Sequence, residues 1–311
     1  MRGEKGFALI LTLIVTALMV AALVEMIHQA YVDISLSRGY RDGQQASLLA
    51  ESGATGGIKL LQLSIPAGKE YTSLSDVWAA PVKLDDEAGA LEVSIVEESG
   101  RINLNSLVQP NGTVNVFTQA SLKRLGKRLE IPEGVWAALT DWLDRDDLTR
   151  SSGAESPYYQ SLKPPYTSRN GKLATFAELS LVKGFTPEII SRLKPFVTIY
   201  EDQPTSPAVT SPVNINTASK EVLATLDDGI DDRMAERILE ERRLMPFISR
   251  GGLSRIPGGD KISQSLGINV SVRGGLFRII SIARVKESAR TVESVIRLSG
   301  GDPETLSWQE Y

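Results

Sequence analysis

The hydrophobic pattern begins with an apolar run from Phe7 to Val24, interrupted only by the hydroxyls of Thr12 and Thr16. At a rise of about 1.5 Å per residue, this run makes a helix long enough to cross a hydrocarbon layer of about 30 Å. The pattern then becomes amphipathic without helix breakers, so residues 7–60 are predicted to form one long helix. An apolar stripe predicts a docking face for a sheet and contains Ala46, Leu48, Leu49, Ala50, Ala54, Ile58 and Leu61.

Alternation of apolar and polar residues marks the strands. It predicts a half-buried strand at 91–97 and two more at 276–283 and 291–298, joined by a turn at 286–289. The segment 62–89 is expected to be irregular. Between the strand regions the pattern is helical, and its clearer helices are predicted at 117–129, 134–143, 175–181, 187–193, 220–226 and 232–242.

The order of these elements predicts the architecture. Because strands lie on both sides of the helical block, we expect an α+β fold in which the long N-terminal helix packs on a small antiparallel sheet. A large all-α domain is inserted into it, and a proline-containing linker divides that domain. The predicted boundaries are 1–6 for a leader, 7–27 for the membrane-spanning part, 28–102 with 268–311 for the α+β domain, 103–267 for the inserted domain and about 201–212 for the linker.

Composition narrows the range of functions. The chain has 311 residues, a formal net charge of −4 and no cysteine. The missing cysteine excludes disulfides, thiolate metal sites and cysteine nucleophiles, and the acidic balance disfavours nucleic acid as a partner. A Gly-x-Ser-x-Gly nucleophile motif and a glycine-rich phosphate loop are both absent from the sequence. We therefore expect a protein that is not an enzyme.

The residues before the apolar run predict its orientation and its processing. Arg2 and Lys5 place the leader in the cytoplasm by the positive-inside rule, and the chain after the run outside it. A secretory signal peptide has a shorter apolar core of about 7–15 residues, and a plain membrane anchor is the other alternative. The junction of Gly6 and Phe7 resembles the start of bacterial prepilins. That resemblance implies cleavage after Gly6 by a prepilin peptidase and N-methylation of Phe7.

One position departs from the prepilin pattern. The fifth residue after the implied cleavage is Leu11, where most such proteins carry a glutamate that meets the amine of a neighbouring subunit. A buried charge needs a partner of this kind. A subunit without the carboxylate has no charge to pair with a subunit ahead of it, which suits the tip of a filament.

A group of acidic residues is the candidate metal site, formed by Asp141, Asp144, Asp146, Asp147 and Glu155. The first two are spaced i, i+3 and so point to one side of a helix end. Calcium takes six to eight oxygen ligands at about 2.3–2.6 Å, and carboxylates at a helix end and in a loop can supply them. The residue types and their spacing are those of a calcium site.

The alternative for this segment is a solvated acidic turn that is paired with Arg145 and Arg150. From the residues alone, both interpretations stand. Transition metals are disfavoured because cysteine is absent and the sole histidine, His28, lies close to the membrane run.

Two segments, 179–187 and 222–232, have helix-hairpin-helix character. In DNA-binding versions of this motif, backbone N–H groups of the hairpin and the following helix bind a phosphate. The carboxylates of Asp227, Asp228, Asp231 and Asp232 would repel it. A packing role is therefore predicted, and a membrane-anchored DNA-binding or DNA-uptake protein is the alternative.

Five motifs in order make the chain resemble the K-type minor pseudopilins of bacterial type II secretion systems. They lie at 78–81, 100–105, 141–146 with 153–155, 178–184 and 213–218. The resemblance implies a single-pass inner-membrane protein whose C-terminal region lies in the periplasm. It implies partners of the I and J types at the tip of a pseudopilus, contact with the major pseudopilin through the N-terminal helix, and bound calcium. Ser156 stands where that family more often has an acidic residue, and a type IV pilus minor pilin is the alternative.

Overall fold

The computed structural model describes residues 3–66, 68–202, 211–298 and 302–311. Helix α1 (Gly3–Ser64) is continuous, which confirms the predicted long N-terminal helix. Within the described residues it is the one helix long and apolar enough to cross a membrane, and its apolar part is fully exposed. Residues 1–2 of the predicted leader and residues 203–210 of the predicted linker lie outside the described residues.

A five-stranded antiparallel sheet packs against α1 in the order β1-β2-β7-β8-β9. The predicted strands correspond to β2, β7 and β8. The edge strands β1 and β9 were not predicted, and β1 corrects the expectation of an irregular segment at 62–89. The strands are β1 (Val82–Asp86), β2 (Gly89–Glu97), β7 (Leu276–Val285), β8 (Ser288–Arg297) and β9 (Glu304–Glu310).

The contact between α1 and the sheet depends on small residues. A Cβ added at Gly53 would lie 2.3 Å from Ser281 Oγ, and one added at Gly57 would lie 2.9 Å from Ile279. Both glycines therefore allow the helix backbone to approach the sheet closely. Leu48 was expected in the docking stripe but is exposed. The fully buried members of the stripe are Ala46, Ala50, Ala54 and Leu61.

The chain between β2 and β7 is mainly helical and forms a second hydrophobic core. Its two pairs of short strands are parallel, β3 with β4 and β5 with β6. The helices are α2 (Val116–Arg128), α3 (Gly134–Leu143), α4 (Ser156–Gln160), α5 (Pro187–Leu193), α6 (Lys220–Leu226), α7 (Asp232–Leu244) and α8 (Gly259–Leu266). The strands are β3 (Ile102–Asn103), β4 (Val197–Thr198), β5 (Val213–Asn214) and β6 (Val270–Ser271).

This helical part consists of two structural repeats, which we call the first helical repeat (102–199) and the second helical repeat (213–272). Each begins and ends in one of the parallel strand pairs, Ile102 opposite Val197 in the first and Val213 opposite Val270 in the second. Helices α2 and α3 of the first repeat correspond to α6 and α7 of the second.

A buried asparagine occupies the same place in each repeat. In the first repeat, Asn105 accepts a hydrogen bond from Leu173 N (2.8 Å) and donates to Leu173 O (3.0 Å) and Ile199 O (2.7 Å). In the second, Asn216 accepts from Phe247 N (2.9 Å) and donates to Phe247 O and Val272 O. These amides satisfy buried backbone groups that would otherwise lack partners, so each asparagine closes its repeat.

The last part of each repeat follows the same plan. A 3₁₀ helix (Phe176–Leu181 or Arg250–Arg255) is followed by a glycine in the left-handed region and then by α5 or α8. Gly184 and Gly258 both have φ of +85°. Only glycine adopts this conformation without strain, so both turns require it.

Glu97, at the end of β2, connects the sheet to the second helical repeat. Its carboxylate is buried and accepts hydrogen bonds from Asn214 Nδ2 (2.6 Å) and Thr217 Oγ1 (3.2 Å). Burial raises the pKa of Glu97 to about 7 in spite of these hydrogen bonds, which favour the charged form. The joint between sheet and repeat therefore contains a carboxyl that titrates near neutral pH.

Candidate metal centre

Helix α3 carries two carboxylates at its C-terminal end. Asp141 lies in the last turn and Asp144 is the C-cap residue, and both are buried. A helix C-terminus bears partial negative charge and favours cations, so buried carboxylates there are electrostatically unfavourable without one. The apolar residues that fix α3 in the core are Val135, Trp136, Leu139, Trp142 and Leu143.

The loop after α3 brings Glu155 back to this helix end. Asp141, Asp144 and Glu155 each offer a carboxylate oxygen, and these oxygens lie within 4.8 Å of one another. We call these three residues the acidic cluster and residues 144–155 the acidic loop. A Cβ at Gly153 would lie 1.9 Å from Asp141 Oδ2, so the loop can approach Asp141 only with glycine there. Lys183 Nζ donates to Gly153 O (2.9 Å) and holds the loop from outside.

The hydrogen bonds of the acidic cluster leave two buried oxygens without a partner among the described residues. Arg150 Nη1 donates to Asp141 Oδ1 (2.7 Å) and to Asp144 Oδ2, and Arg150 N donates to Asp141 Oδ2 (3.2 Å). Ser168 Oγ donates to Glu155 Oε2 (3.3 Å). Asp144 Oδ1 and Glu155 Oε1 are buried and receive no hydrogen bond from any described residue. Such orphaned oxygens are costly to bury and fit a cation as an additional partner.

The crowding of carboxylates changes their proton affinity. Burial raises the pKa of Glu155 to about 7, and repulsion from Asp141 and Asp144 adds to the effect. Burial also raises the pKa of Asp144, although the hydrogen bond from Arg150 opposes the change. A bound cation would stabilise these crowded carboxylates, because it favours their charged form.

The other two predicted ligands lie outside the cluster. Asp146 and Asp147 are exposed. Asp146 Oδ1 accepts from Leu148 N (2.8 Å), and Asp147 Oδ1 accepts from Asn170 Nδ2 (3.4 Å). Ser156 reaches the cluster only indirectly, because its hydroxyl is 2.7 Å from that of Ser168, the donor to Glu155.

The predicted processing residues lie at the start of α1. Phe7 and Leu11 are exposed on the helix surface, and Gly6 belongs to the same helix.

The carboxylates of residues 227–232, in the second segment for which helix-hairpin-helix character was predicted, are engaged in contacts within the chain. Asp228 pairs with Arg124 (2.6 Å) and Asp232 pairs with Arg128. Asp231 caps α7. The two ion pairs join α2 to the loop between α6 and α7 and to the start of α7. Asp227 accepts from Gly229 N and Ser265 Oγ.

Sequence reasoning missed several residues of the centre. The sequence indicates Arg150 only as the partner of a solvated turn. Gly153 and Lys183 lie in two of the five motifs but were given no role in the site, and Ser168 lies outside the motifs. The dual contact of Arg150 depends on the loop conformation and has no sequence signature.

Comparison with known proteins agrees with this organisation. The sequence profile of the family described as type II secretion system (T2SS), protein K matches residues 100–202, as a first part, and residues 213–273. These two ranges coincide closely with the first and second helical repeats.

Relatives extend the similarity beyond the repeats. The type II secretion system protein K of Pseudomonas aeruginosa is 33% identical, over 82% of this chain and 77% of that protein. The protein of the same name from Aeromonas hydrophila is 28% identical, over 94% and 93% of the two chains. Among solved structures, a chain of the GspK-GspI-GspJ complex from the enterotoxigenic Escherichia coli type 2 secretion system matches with a TM-score of 0.71 and 21% identity. That match covers 88% of this chain and 99% of the other.

The fold defines a pilin-like subunit, with a long apolar helix on a small antiparallel sheet and a large inserted helical part. The chain belongs to the family of type II secretion system protein K.

Proposed function

We propose that this chain is a structural minor pseudopilin that assembles with I- and J-type pseudopilins at the tip of a periplasmic pseudopilus. The observation that carries the proposal is the combined match of both helical repeats and the pilin-like part to one family. The similar fold of a chain solved in a GspK-GspI-GspJ complex supports the choice of partners. Two helical repeats beside the sheet add bulk that suits the end of a filament better than its shaft.

The test is co-purification of the full chain, in detergent, with the I- and J-type proteins of its own host. We expect one stable complex that contains all three proteins. An unrelated single-pass membrane protein with the same affinity tag is the control. Recovery of the full, folded chain without either partner would overturn the proposed assembly.

The N-terminal helix is proposed to anchor the chain in the inner membrane, with the sheet and both repeats in the periplasm. Gly6 and Phe7 are the proposed sites of cleavage and N-methylation. The positions of Arg2 and Lys5, the length of the apolar helix and its exposure support this orientation. The intact mass of protein from host membranes tests it. A chain that begins at methylated Phe7 is expected, whereas one that begins at Met1 beside an active prepilin peptidase would contradict processing.

The lack of a carboxylate at Leu11 supports the position at the tip. Leu11→Glu places a carboxylate in the apolar helix, and at the tip that charge meets no subunit ahead of it. We expect Leu11→Glu to reduce incorporation into the three-protein complex and Leu11→Met to leave it unchanged. Normal incorporation of Leu11→Glu would argue for a position inside the filament.

We further propose that the acidic cluster holds a structural calcium ion. Three buried carboxylates at a helix C-terminus, two of them with orphaned oxygens, support this proposal. Carboxylates and backbone carbonyls are the ligands that calcium prefers, and the loop supplies both kinds. Asp141, Asp144 and Glu155 would hold the ion, which would neutralise their charge and tie the acidic loop to α3.

Calorimetric titration of the chelator-treated full chain with calcium chloride tests the site. We expect saturable binding and a higher melting temperature, because a ligand of the native state stabilises it. Asp144→Asn should weaken binding at least about tenfold, which corresponds to about 1.4 kcal/mol. Asp260→Asn, an exposed change in the second helical repeat, is the matched control. Equal binding by the two variants would exclude the acidic cluster as the site.

A further inference from the structure

Arg150 occupies the side of the acidic cluster that faces solvent. Its guanidinium contacts both Asp141 (2.7 Å) and Asp144, and its backbone N–H contacts Asp141 as well. The side chains of both aspartates are fully or almost fully buried, so this guanidinium is the cation that neutralises them. A buried carboxylate without a cation is strongly destabilising, and Arg150 therefore contributes to the stability of the helix end.

Arg150 does not provide a donor for every buried carboxylate oxygen of the acidic cluster. Its guanidinium donates to the two aspartates, while Asp144 Oδ1 and Glu155 Oε1 stay without donors among the described residues. One positive charge meets three carboxylates, which leaves an excess of negative charge. The cluster can therefore bind a divalent cation more completely than it binds a guanidinium.

The side chain of Arg150 can leave without disturbing the core. It is 32% exposed, whereas the side chains of Asp141 and Asp144 are 0% and 1% exposed. It extends from the acidic loop, in a segment without helix or strand, and not from α3. Rotation of the side chain toward solvent would free both carboxylates while α3 stays in place.

We propose that Arg150 is a built-in competitor of calcium, which neutralises Asp141 and Asp144 in the metal-free protein and releases them when the ion binds. The inference rests on the proposed calcium site. A guanidinium and a calcium ion cannot share these oxygens, because they would lie close together as like charges. The apparent calcium affinity is then the intrinsic affinity multiplied by the fraction of metal-free molecules in which Arg150 has left the carboxylates. Arg150 thereby lowers the affinity for calcium and keeps the metal-free repeat folded.

The experiment compares Arg150→Gln with Arg145→Gln in the full chain. Arg145 lies in the same acidic loop but is exposed, so its replacement removes the same charge nearby without removing the contacts. Calcium binding is measured by calorimetry and the melting temperature is measured in excess chelator. We expect Arg150→Gln to bind calcium about tenfold more tightly and to melt at a lower temperature than wild type in chelator. Arg145→Gln should stay near wild type in both, and Arg150→Lys, which keeps the charge, should lie between.

The outcomes separate this inference from the calcium site itself. Calcium binding by wild type with equal or weaker binding by Arg150→Gln would overturn the competition and leave the site intact. Equal tightening in Arg145→Gln would also overturn it, since the effect would then be long-range charge. Binding by Arg150→Gln alone would support the competition in its strongest form. Failure of all variants to bind would remove both the site and the inference.

Discussion

The two helical repeats are closed by the same asparagine contacts but differ in the length of chain after their second helix. In the second repeat, Met245 and Pro246 alone separate α7 from Phe247, whose backbone bonds to Asn216. In the first repeat, residues 144–172 separate α3 from Leu173, whose backbone bonds to Asn105. The acidic loop belongs to this long segment and supplies Asp144 and Glu155 of the acidic cluster, whereas Asp141 lies in α3. The long segment with the acidic loop is therefore an addition to a scaffold that closes through its asparagine in both repeats.

The ends of the corresponding helices differ in charge as well. Near the end of α7, Arg242 donates to Ile215 O and Ala218 O, both at 2.7 Å. Burial lowers the pKa of Arg242 to about 10, and the group stays cationic at neutral pH. A cation suits a helix C-terminus, so the second repeat is complete by itself. The first repeat has Asp141 and Asp144 at this place, and their cation is Arg150, which comes from the acidic loop and not from the helix itself.

The largest effect that we expect comes from removing the asparagine that closes each repeat. It tests whether the two asparagines contribute equally to stability, as their equivalent positions suggest. Asn105→Ala and Asn216→Ala each leave buried backbone groups unpaired. At about 1–3 kcal/mol for each unsatisfied group, we expect either variant to lose about 3 kcal/mol or more of unfolding free energy. Denaturant unfolding at saturating calcium measures it. Asn111→Ala, at an exposed turn, is the control and should cost much less.

Unequal results would sharpen the comparison. A loss below about 1 kcal/mol for Asn105→Ala beside a large loss for Asn216→Ala would mean that the acidic loop, and not the asparagine, closes the first repeat. The scaffold interpretation would then hold for the second repeat only.

The sequence contains evidence of these repeats that periodicity does not reveal. The segments Ile102–Asn105 and Val213–Asn216 have the same alternation of aliphatic residues and asparagines. Because the first repeat contains a long insertion, corresponding residues of the two repeats are not separated by a constant spacing. The two motifs are therefore hard to recognise as a pair. Long periodic elements such as α1, β2, β7 and β8 were predictable, because one face of each is buried over many residues.

The elements that were missed are short or exposed. Every residue of β1 is exposed, so no buried face imposes alternation on its sequence. The parallel pairs β3–β4 and β5–β6 are two residues long and exist because packing of the repeats brings their ends together. In the acidic cluster, helical spacing predicted that Asp141 and Asp144 point to the same side of a helix end. The position of Glu155 beside them could not be derived in this way, since a loop path is not encoded in periodicity.

The contact of Glu97 with the second helical repeat should make the stability of the protein depend on pH. The pKa of Glu97 is about 7 in the folded chain, against its ordinary value of 4.5. The folded state therefore holds the proton more tightly, and the resulting stability is fully present below about pH 4.5 and lost as pH rises through about 7. At about 1.4 kcal/mol per pKa unit, the loss is on the order of 3 to 4 kcal/mol.

Glu97→Gln should remove this part of the pH dependence. The measurement is the unfolding free energy between pH 5 and pH 8 at one fixed calcium concentration for all variants. Glu92→Gln, half-exposed on the same strand, is the matched control and should keep the slope. An unchanged slope in Glu97→Gln would show that the joint between the sheet and the second repeat does not titrate in this range.

The smallest effect that we expect is the difference in stability cost between alanine substitutions at the glycine turns of the two repeats. Alanine in the left-handed region costs about 1–2 kcal/mol, and Gly184 and Gly258 share this term because both have φ of +85°. Their surroundings differ. A Cβ at Gly184 would lie 3.0 Å from Val135 Cγ1, whereas one at Gly258 would lie 3.6 Å from the flexible end of Met234. We therefore expect Gly184→Ala to cost more than Gly258→Ala.

Two further variants separate backbone strain from crowding. Gly112 has φ of +84° and no described heavy atom within 4 Å of an added Cβ, so Gly112→Ala measures the backbone cost alone. Val135→Ala removes the crowding atom. Its own cost should therefore be smaller in the Gly184→Ala background than in wild type, and a double-mutant cycle gives the difference. A zero coupling energy together with equal costs for Gly184→Ala and Gly258→Ala would mean that the backbone alone sets both turns. The long insertion in the first repeat would then not be accompanied by tighter packing around Gly184.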